Sequence, residues 1–310
     1  MLVLNDRINE IITHLSIYLR GKSRALKLSL LAIFSKGHLL IEDMPGLGKT
    51  TLAIAIAKAL DLSFGRIQCT SDLLPSDITG LSIYNKDKGT FEFHPGPIFN
   101  NIVLIDEINR ATPKTQSALL EAMGEKQTTI EGKTYPHPNP FFVIATQNPA
   151  EHYGTFPLPE SQLDRFTMKI SIGYPSKEAE KDIIKKGFHR EDLYNIKPVM
   201  NRDEVISLQN EIERMVFLSE RILDYILEII KATRNNKYIY SGISTRGALA
   251  ITHIAKANAY FNNRDYVIPE DIKELADYII PHRIILKEEY ENMDKRDLIR
   301  AIIDQVPQPI

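Results

Sequence analysis

"DMPGLGKTT", at residues 43–51, is nearly a phosphate-binding loop. The usual pattern is G-x-x-x-x-G-K-[ST], and Gly48, Lys49 and Thr50 fit its end. Its first glycine would stand at position 43, where this chain has Asp43. The stretch therefore predicts either a nucleotide site with an altered first position or a Gly-Lys helix start that binds no ligand.

The segments on both sides of the loop favour the nucleotide site. "HLLIED" (38–43) reads as a buried strand and "TLAIAIAKAL" (51–60) as a helix, which is the context the motif requires. Backbone N–H groups at such a helix start cradle phosphates, Lys49 would bind the β- and γ-phosphates, and Thr50 would offer its hydroxyl to Mg²⁺. Asp43 is expected to point away, because a carboxylate facing the phosphates would repel them. The predicted nucleotide-binding residues are Met44, Pro45, Gly46, Leu47, Gly48, Lys49, Thr50 and Thr51.

A second motif, "IVLIDE" at residues 102–107, supports this interpretation. Two adjacent acids at the end of a buried strand are costly unless they have partners. We predict Asp106 as a Mg²⁺ ligand, directly or through water, and Glu107 as the group that polarises a water against the γ-phosphate. The alternative is a strand that runs into a solvated acidic turn. Together with the glycine loop upstream, the pair predicts a nucleoside triphosphatase.

The first half of the chain, residues 1–174, has the pattern of an α/β domain. Apolar runs at 38–43, 62–69, 101–107, 141–148 and 167–172 alternate with helical patterns. Strands that are apolar on both faces are typical of a parallel sheet covered by helices on each side. We predict five parallel strands.

The second half, residues 175–310, is predicted to be a small all-helical domain. Pro175 ends the last strand, and Ser176 can cap a new helix. In "SERILDYILEIIKA" the apolar residues recur at helical spacing, "STRGALAITHIAKANAY" (244–260) reads the same way, and "IPEDIKELADYII" (268–280) has proline at a first helical position.

Composition argues against several other classes of protein. The formal net charge of −2 gives no global attraction to nucleic acid or anionic membrane, and no apolar run approaches the length of a bilayer span. The N-terminus carries early charges and lacks a signal-peptide core. The only cysteine, Cys69, is expected to be a core thiol, and the eight histidines show no metal spacing. A cytoplasmic location fits these features.

Longer stretches of the chain resemble the AAA+ ATPases, and within them the MoxR family. They are "GHLLIEDMPGLGKTTLA", "LPSDITG", "FHPGPIFNNIVLIDEINRATPKTQSALLEAMGEKQTTIEG", "FFVIATQNPAEHYGTFPLPESQLDRF", "GISTRGALA" and "YVIPEDIKELADYIIPHR". In this family the position of Asp43 is commonly not glycine. The resemblance implies a P-loop fold with a helical lid, and ATP and Mg²⁺ as ligands.

The resemblance also implies roles for four polar residues. Asn148 matches sensor 1, near the γ-phosphate; its alternative is a turn former in "QNP". Arg165 matches the arginine finger that reaches a neighbouring subunit's ATP; its alternative is a surface ion pair with Asp164 or Glu160. Arg246 matches sensor 2; its alternative is a solvated arginine in the first turn of a helix, where the helix dipole disfavours a positive charge. Arg110 could face a subunit boundary.

Two hairpins are expected as insertions. Ile83 and Tyr84, then Phe91 and Phe93, flank a polar turn, and "EKQTTIEGKTYP" (125–136) could turn at residues 131–132. In the resembling family these hairpins line the face or pore of a ring, whereas they could equally be decorations that cover the sheet. Gly124 stands where the family leads us to expect a longer polar residue.

The resemblance implies a ring, hexameric in the usual case, that acts as a MoxR-type chaperone on a partner protein, often one with a von Willebrand factor A domain. Three alternatives stay open. They are a motor subunit of a chelatase or restriction complex, a nucleic-acid motor and a small-molecule kinase. The absence of a basic, aromatic-interleaved stretch disfavours nucleic acid, and the acidic pair at 106–107 disfavours the kinase.

Overall fold

The computed structural model describes residues 2–150, 154–186 and 190–309. The strands are β1 (Leu39–Glu42), β2 (Phe64–Gln68), β3 (Gly80–Asn85), β4 (Thr90–Pro95), β5 (Ile102–Asp106), β6 (Gln127–Ile130), β7 (Lys133–Pro136), β8 (Phe142–Gln147), β9 (Met168–Ile170), β10 (Ile239–Ser241) and β11 (Ile285–Leu286). The helices are α1 (Leu2–Ser16), α2 (Ser23–Phe34), α3 (Lys49–Ala59), α4 (Pro75–Thr79), α5 (Pro113–Glu125), α6 (Glu160–Leu163), α7 (Lys177–Lys186), α8 (Arg202–Met215), α9 (Glu220–Arg234), α10 (Thr245–Phe261), α11 (Pro269–Lys273), α12 (Ala276–Ile279) and α13 (Lys295–Gln305).

Five strands form one parallel sheet in the order β2-β5-β8-β1-β9, which confirms the predicted five-stranded parallel sheet. Alternate residues of β5 enter two different cores: Ile102 and Leu104 join one, and Val103 and Ile105 join the other. Helices therefore cover both faces. Because the strands are parallel, the carboxyl ends of β1, β5 and β8 meet at one edge, where ligands bind in open α/β sheets.

Both predicted hairpins are present, as the antiparallel pairs β3–β4 and β6–β7. A row of aromatic rings joins them to the sheet. Phe93 of the first hairpin stacks on Tyr135 of the second, with ring centroids 4.1 Å apart, and His137 stacks on Phe141 at 4.4 Å. His38 ends the row, and its Nδ1 accepts a hydrogen bond of 3.1 Å from the N–H of Val143.

The helical second half is confirmed, with one addition. The antiparallel pair β10–β11 lies among its helices, and these strands are too short to give a readable alternation in the sequence. The segment 268–280 divides into α11 and α12 instead of forming one helix. Ser176 does cap α7, since its Oγ accepts a 3.3 Å hydrogen bond from Ala179 N. The domain boundary at residues 174–175 stays a prediction.

Across the described ranges, the structure has no helix with the length and apolarity that a membrane crossing needs.

The two buried histidines of the aromatic row predict a loss of stability in mild acid. Burial lowers the pKa of His38 and of His137 from 6.5 to about 4. Between about pH 4 and pH 6.5 each histidine is protonated in the unfolded chain and neutral in the folded chain. The free energy of unfolding is therefore highest above about pH 6.5 and falls as the pH drops below that value. Each histidine should remove about 2 kcal/mol from the free energy of unfolding between about pH 7 and pH 5.

Urea titrations at the two pH values measure this loss, and His137→Phe is the matched variant because it keeps the stack on Phe141. That variant should show a smaller pH-dependent loss, by about 2 kcal/mol. An identical loss in parent and variant would contradict the assignment to His137.

Candidate functional site

The glycine loop forms one wall of a cavity of about 370 Å³ at the carboxyl edge of the sheet. Gly46 and Gly48 have φ of 85° and 91°, a region that favours glycine, and a Cβ at either position would meet only open space. α3 begins at Lys49, so its unpaired N–H groups lie at this loop. The described residues that line the cavity are Pro45, Gly46, Gly48, Lys49, Thr50, Thr51, Arg66, Gln68, Asp106, Glu107, Thr146, Asn148 and Leu193.

The cavity brings together both sequence motifs, because Asp106, Glu107 and Asn148 line it opposite the loop. Two of the predicted binding residues are not among its lining residues. Met44 has a side chain that is 42% exposed, and Leu47 lines a neighbouring cavity. Their assignment to nucleotide binding stays a prediction.

Lys49 is held by backbone carbonyls. Its Nζ donates to the carbonyl oxygens of Asp43 at 2.5 Å and Met44 at 3.2 Å. Burial lowers the pKa of Lys49, while the negative charges of Asp43, Asp106 and Glu107 oppose that shift. The ammonium group therefore lies at the loop, where negatively charged phosphate oxygens would stabilise its charged form.

Asp43 points away from the loop, as expected. Its Oδ1 accepts a 2.6 Å hydrogen bond from Ser171 Oγ, and its Oδ2 accepts one from the backbone N–H of Ile172. The residue is 7% exposed. The aspartate in place of glycine thus ties the end of β1 to the chain that follows β9, without placing a charge among the phosphate-binding amides.

Asp106 has two partners. Arg66 donates its Nε to Asp106 Oδ2 at 2.8 Å, and Thr146 Oγ1 donates to Oδ1 at 3.2 Å. Magnesium binds through one or two carboxylates together with phosphate oxygens and water. Asp106 and the Thr50 hydroxyl, both on the cavity wall, fit that donor set. Among the described residues no group of three or more His, Cys, Asp or Glu side chains could hold a metal by itself, so the remaining ligands would come from phosphate and water.

Glu107 has a strained backbone and three polar neighbours. Its φ of 57° and ψ of 52° are left-handed, a conformation that a non-glycine residue adopts at a cost of order 1–3 kcal/mol. Its N–H donates to Thr146 Oγ1 at 2.9 Å, Gln68 Nε2 donates to Oε2 at 3.1 Å, and Arg110 Nε lies 3.3 Å from the same oxygen. These contacts aim the carboxylate along the cavity wall.

Sequence reasoning missed Arg66, Gln68 and Thr146. Arg66 and Gln68 alternate along β2, and both are exposed between buried neighbours. Period-two alternation at the end of that strand was the available signal. Thr146 precedes the predicted sensor position by two residues, and nothing in its local sequence distinguishes it from any buried strand threonine.

The structure shows the turn-forming alternative for Asn148, whereas its sensor-1 role stays a prediction. It is 6% exposed, and its Oδ1 accepts a hydrogen bond of 3.1 Å from Ala150 N, so it orders the turn after β8. The same residue lines the cavity. Its position is compatible with a contact to phosphate or water there.

Arg165 lies elsewhere. Its Nη1 donates to the carbonyl of Leu120 at 2.6 Å, near the end of α5. A Cβ on Gly124 would stand 2.4 Å from that Nη1, which explains the glycine at a position where a longer residue was expected. Among the described residues, Arg165 forms no salt bridge with Asp164 or Glu160, the alternative partners, and Asp164 Oδ1 lies 3.0 Å from Arg283 Nε instead.

Arg246 is exposed in the first turn of α10 and is not among the described residues that line the phosphate-loop cavity. The cap of α10, Ser244, donates its Oγ to Asp164 Oδ2 at 2.8 Å. Arg246 and Arg165 are therefore connected through neighbouring residues. Both belong to a region outside the cavity of their own chain.

A second cavity of about 410 Å³ adjoins the loop. Apolar side chains from the turn after α1 and from α7, among them Tyr18, Leu19 and Ile183, face Gly46 and Gly48 across it. Its walls come from segments more than 150 residues apart, so no local pattern could reveal it.

Comparison with known proteins agrees with this geometry. A family model described as "ATPase family associated with various cellular activities (AAA)" matches residues 38–168, and one described as "AAA lid domain" matches residues 231–302. The chain is 45% identical to "Uncharacterized protein YeaC" of Bacillus subtilis, over 99% of this chain and 96% of that one. It is 40% identical to "Chaperone MoxR1" of Mycobacterium tuberculosis, over 94% of this chain and 78% of that one.

A crystal structure of a protein from Cytophaga hutchinsonii superposes with a TM-score of 0.92 and 44% sequence identity, covering 100% of this chain and 97% of that chain. The likeness of fold extends over both halves of the chain. The family resemblance read from the sequence is confirmed.

Replacing Asp43 by the glycine of the usual motif should destabilise the protein. Asp43→Gly removes the acceptor of Ile172 N–H and of Ser171 Oγ. A buried donor that loses its acceptor costs about 1–3 kcal/mol. Urea unfolding at neutral pH should show a loss of that size, and Asp43→Asn, which keeps an acceptor, should lose less. Equal stability of Asp43→Gly and the parent would show that these bonds contribute nothing net.

Proposed function

We propose that this chain, which belongs to the MoxR family of AAA+ ATPases and is an ATP hydrolase, works as a ring-forming motor that remodels partner proteins. One observation carries the proposal beyond hydrolysis. The two arginines expected to reach a γ-phosphate, Arg165 and Arg246, do not line their own chain's cavity. A complete active site would then need a second subunit.

The binding of ATP uses the two adjoining cavities. The loop amides and Lys49 hold the phosphates, and the second cavity, with Tyr18, Leu19 and Ile183, receives the base. Aromatic and aliphatic side chains suit a planar purine, as in most nucleotide pockets. Thr50 and Asp106 would hold Mg²⁺, which would neutralise charge on the β- and γ-phosphates.

Hydrolysis then depends on Glu107 and Asn148. Glu107 would accept a hydrogen bond from the attacking water and take its proton, while Asn148 orients the water or the γ-phosphate. The water oxygen would bond to the γ-phosphorus as the bond from that atom to the β–γ bridging oxygen breaks, which releases ADP and phosphate. Gln68 and Arg110 contact Glu107 Oε2, so the other carboxylate oxygen, Oε1, is the one that would accept the hydrogen bond from the water. Arg66 donates to Asp106 Oδ2 and balances part of its negative charge.

The arginines act in trans. Arg165 and Arg246 of one subunit face the γ-phosphate bound to the next, which stabilises the charge that develops in the transition state. The arrangement repeats around a ring, which we take to be a hexamer. Loss of the γ-phosphate removes the partner of both arginines at once. The ATP-bound and ADP-bound states therefore differ in the binding energy between subunits, and that difference can drive a change in a partner protein.

The partner is a protein, and the β3–β4 hairpin is where we expect contact. Ile83 is 48%, Tyr84 52% and Phe91 70% exposed on it. Exposed apolar side chains of this size mark interaction surfaces when they cluster. A client or adaptor with a von Willebrand factor A domain, met in the cytoplasm, fits the family, and the lid formed by residues 175–310 would transmit the motion.

Substitutions at the two motifs should separate binding from hydrolysis. Lys49→Ala should weaken ATP binding by about 100-fold, about 2.7 kcal/mol, because a charge-assisted contact to phosphate is lost. Glu107→Gln should bind ATP normally and reduce kcat by about 10²–10⁴, since the amide cannot take a proton. Calorimetry and steady-state kinetics measure the two effects. Normal turnover in Glu107→Gln would refute the assignment of the base.

Mixing two inactive variants tests the sharing of sites between subunits. Arg165→Ala should bind ATP and lose about 10³-fold or more in rate, about 4 kcal/mol of barrier. In mixtures with Lys49→Ala, some interfaces pair an intact Lys49 site with an intact Arg165 from the neighbour, so partial activity should return. Mass photometry must show that mixed assemblies form. Their failure to recover activity would refute an arginine finger in trans.

A further inference from the structure

The carboxylate of Asp164 connects the two halves of the chain beside both arginines. Arg283, in the turn after α12, places its Nε 3.0 Å from Asp164 Oδ1, and Ser244 Oγ donates to Oδ2 at 2.8 Å. We call Asp164, Ser244 and Arg283 the Asp164 cluster. Asp164 immediately precedes Arg165, and Ser244 stands two residues before Arg246.

Arg283 is fixed more firmly than a surface arginine. Its side chain is 1% exposed, and its guanidinium donates to the carbonyl oxygens of Phe166 at 2.6 Å and Thr167 at 3.1 Å. Burial lowers its pKa to about 10, against the opposing charge of Asp164. A buried pair of this kind adds little net stability over apolar packing, but it restricts the geometry of the groups it joins.

The start of α10 packs against the same arginine. Ser244 caps the helix by accepting a 3.0 Å hydrogen bond from Gly247 N. A Cβ on Gly247 would lie 2.9 Å from Arg283 Cδ, so only glycine lets this turn approach so closely. Arg246 therefore projects from a turn in which Ser244 is hydrogen-bonded to Asp164 and Gly247 packs against Arg283.

We propose that the Asp164 cluster is a positioning device that fixes Arg165 and Arg246 relative to each other, so that they engage the neighbouring subunit's γ-phosphate as one unit. The inference rests on the proposed function, in which both arginines act in trans. It assigns no contact with ATP to the cluster itself. Asp164, Ser244 and Arg283 act only through the arginines whose backbones they hold.

The alternative is that the cluster merely holds the two halves of the chain together. Ser244 allows the two roles to be separated. Ser244→Gly removes the hydroxyl that reaches Asp164, while glycine as an N-cap costs the helix only a few tenths of a kcal/mol. Ser244→Thr keeps both the cap and the hydroxyl. Ser219→Gly is the matched control, because Ser219 caps α9 in the same way, through Ile222 N at 3.3 Å.

The experiment repeats the mixing of Lys49→Ala with Arg165→Ala. Activity arises there only at interfaces where a Lys49→Ala subunit supplies arginines to an Arg165→Ala subunit. Ser244→Gly added to the Lys49→Ala subunit should lower the recovered kcat by about tenfold or more, since small misplacements of catalytic groups have effects of that order. The same change in the Arg165→Ala subunit should lower it far less, because that subunit's arginines are not used.

Ser244→Thr in the Lys49→Ala subunit should restore the recovered kcat, and Ser219→Gly should leave it unchanged. KM for ATP should stay within about twofold throughout, because the cluster does not touch the nucleotide. Equal effects of Ser244→Gly in either subunit, or no effect, would overturn the inference. If the two parent variants recover no activity when mixed, the proposed function itself fails, and that outcome is distinct from both.

Discussion

The parallel pairing of β5, β8 and β1 is the constraint on which the site depends. Register places Ile41 beside Thr146 and Glu42 beside Gln147, and β5 pairs with the other edge of β8 up to Ala145. The chain leaves all three strands at the same edge, so the glycine loop, the acidic pair and Asn148 converge although they are separated by up to about a hundred residues. A shift of one strand by one residue would exchange the side chains of the two cores, and the packing of both cores opposes it.

Once the strand ends are aligned, the polar groups between them determine the chemistry. Thr146 connects the two acids, since its hydroxyl donates to Asp106 and accepts from the N–H of Glu107. On the neighbouring strand, Arg66 donates a hydrogen bond to the carboxylate of Asp106, and Gln68 donates one to that of Glu107. Two adjacent acids at a buried strand end are tolerated because each has a hydrogen-bonding partner. The same partners orient the two carboxylates for which we propose a metal and a water as ligands.

The sequence predicted the features that lie within one continuous segment, and it missed the contacts that form between segments distant along the chain. The five strands of the parallel sheet, the two hairpins and the glycine loop have local patterns or motifs, so the sequence predicted them. Arg66 and Gln68 were not recognised, because their significance depends on β2 lying next to β5. The second cavity is also assembled from distant segments, since Tyr18 lies near the start of the first half of the chain and Ile183 lies in the second half. The Asp164 cluster joins residues up to 119 positions apart, and no pattern within a single segment could indicate it.

Two departures from the expected motifs have explanations of the same kind. Asp43 replaces a glycine because its carboxylate binds the chain after β9, and Gly124 replaces a longer residue because Arg165 fills the space beside it. In both cases the local sequence departs from the motif because the residue contacts a partner that is distant in the sequence.

Gly124 and Arg165 also constrain each other. In the trans role that we propose, the Arg165 guanidinium would have to leave the Leu120 carbonyl to reach a neighbouring ATP, so the two contacts would compete. The proposed positioning by Asp164 acts through the backbone and would leave the side chain of Arg165 free to make that exchange.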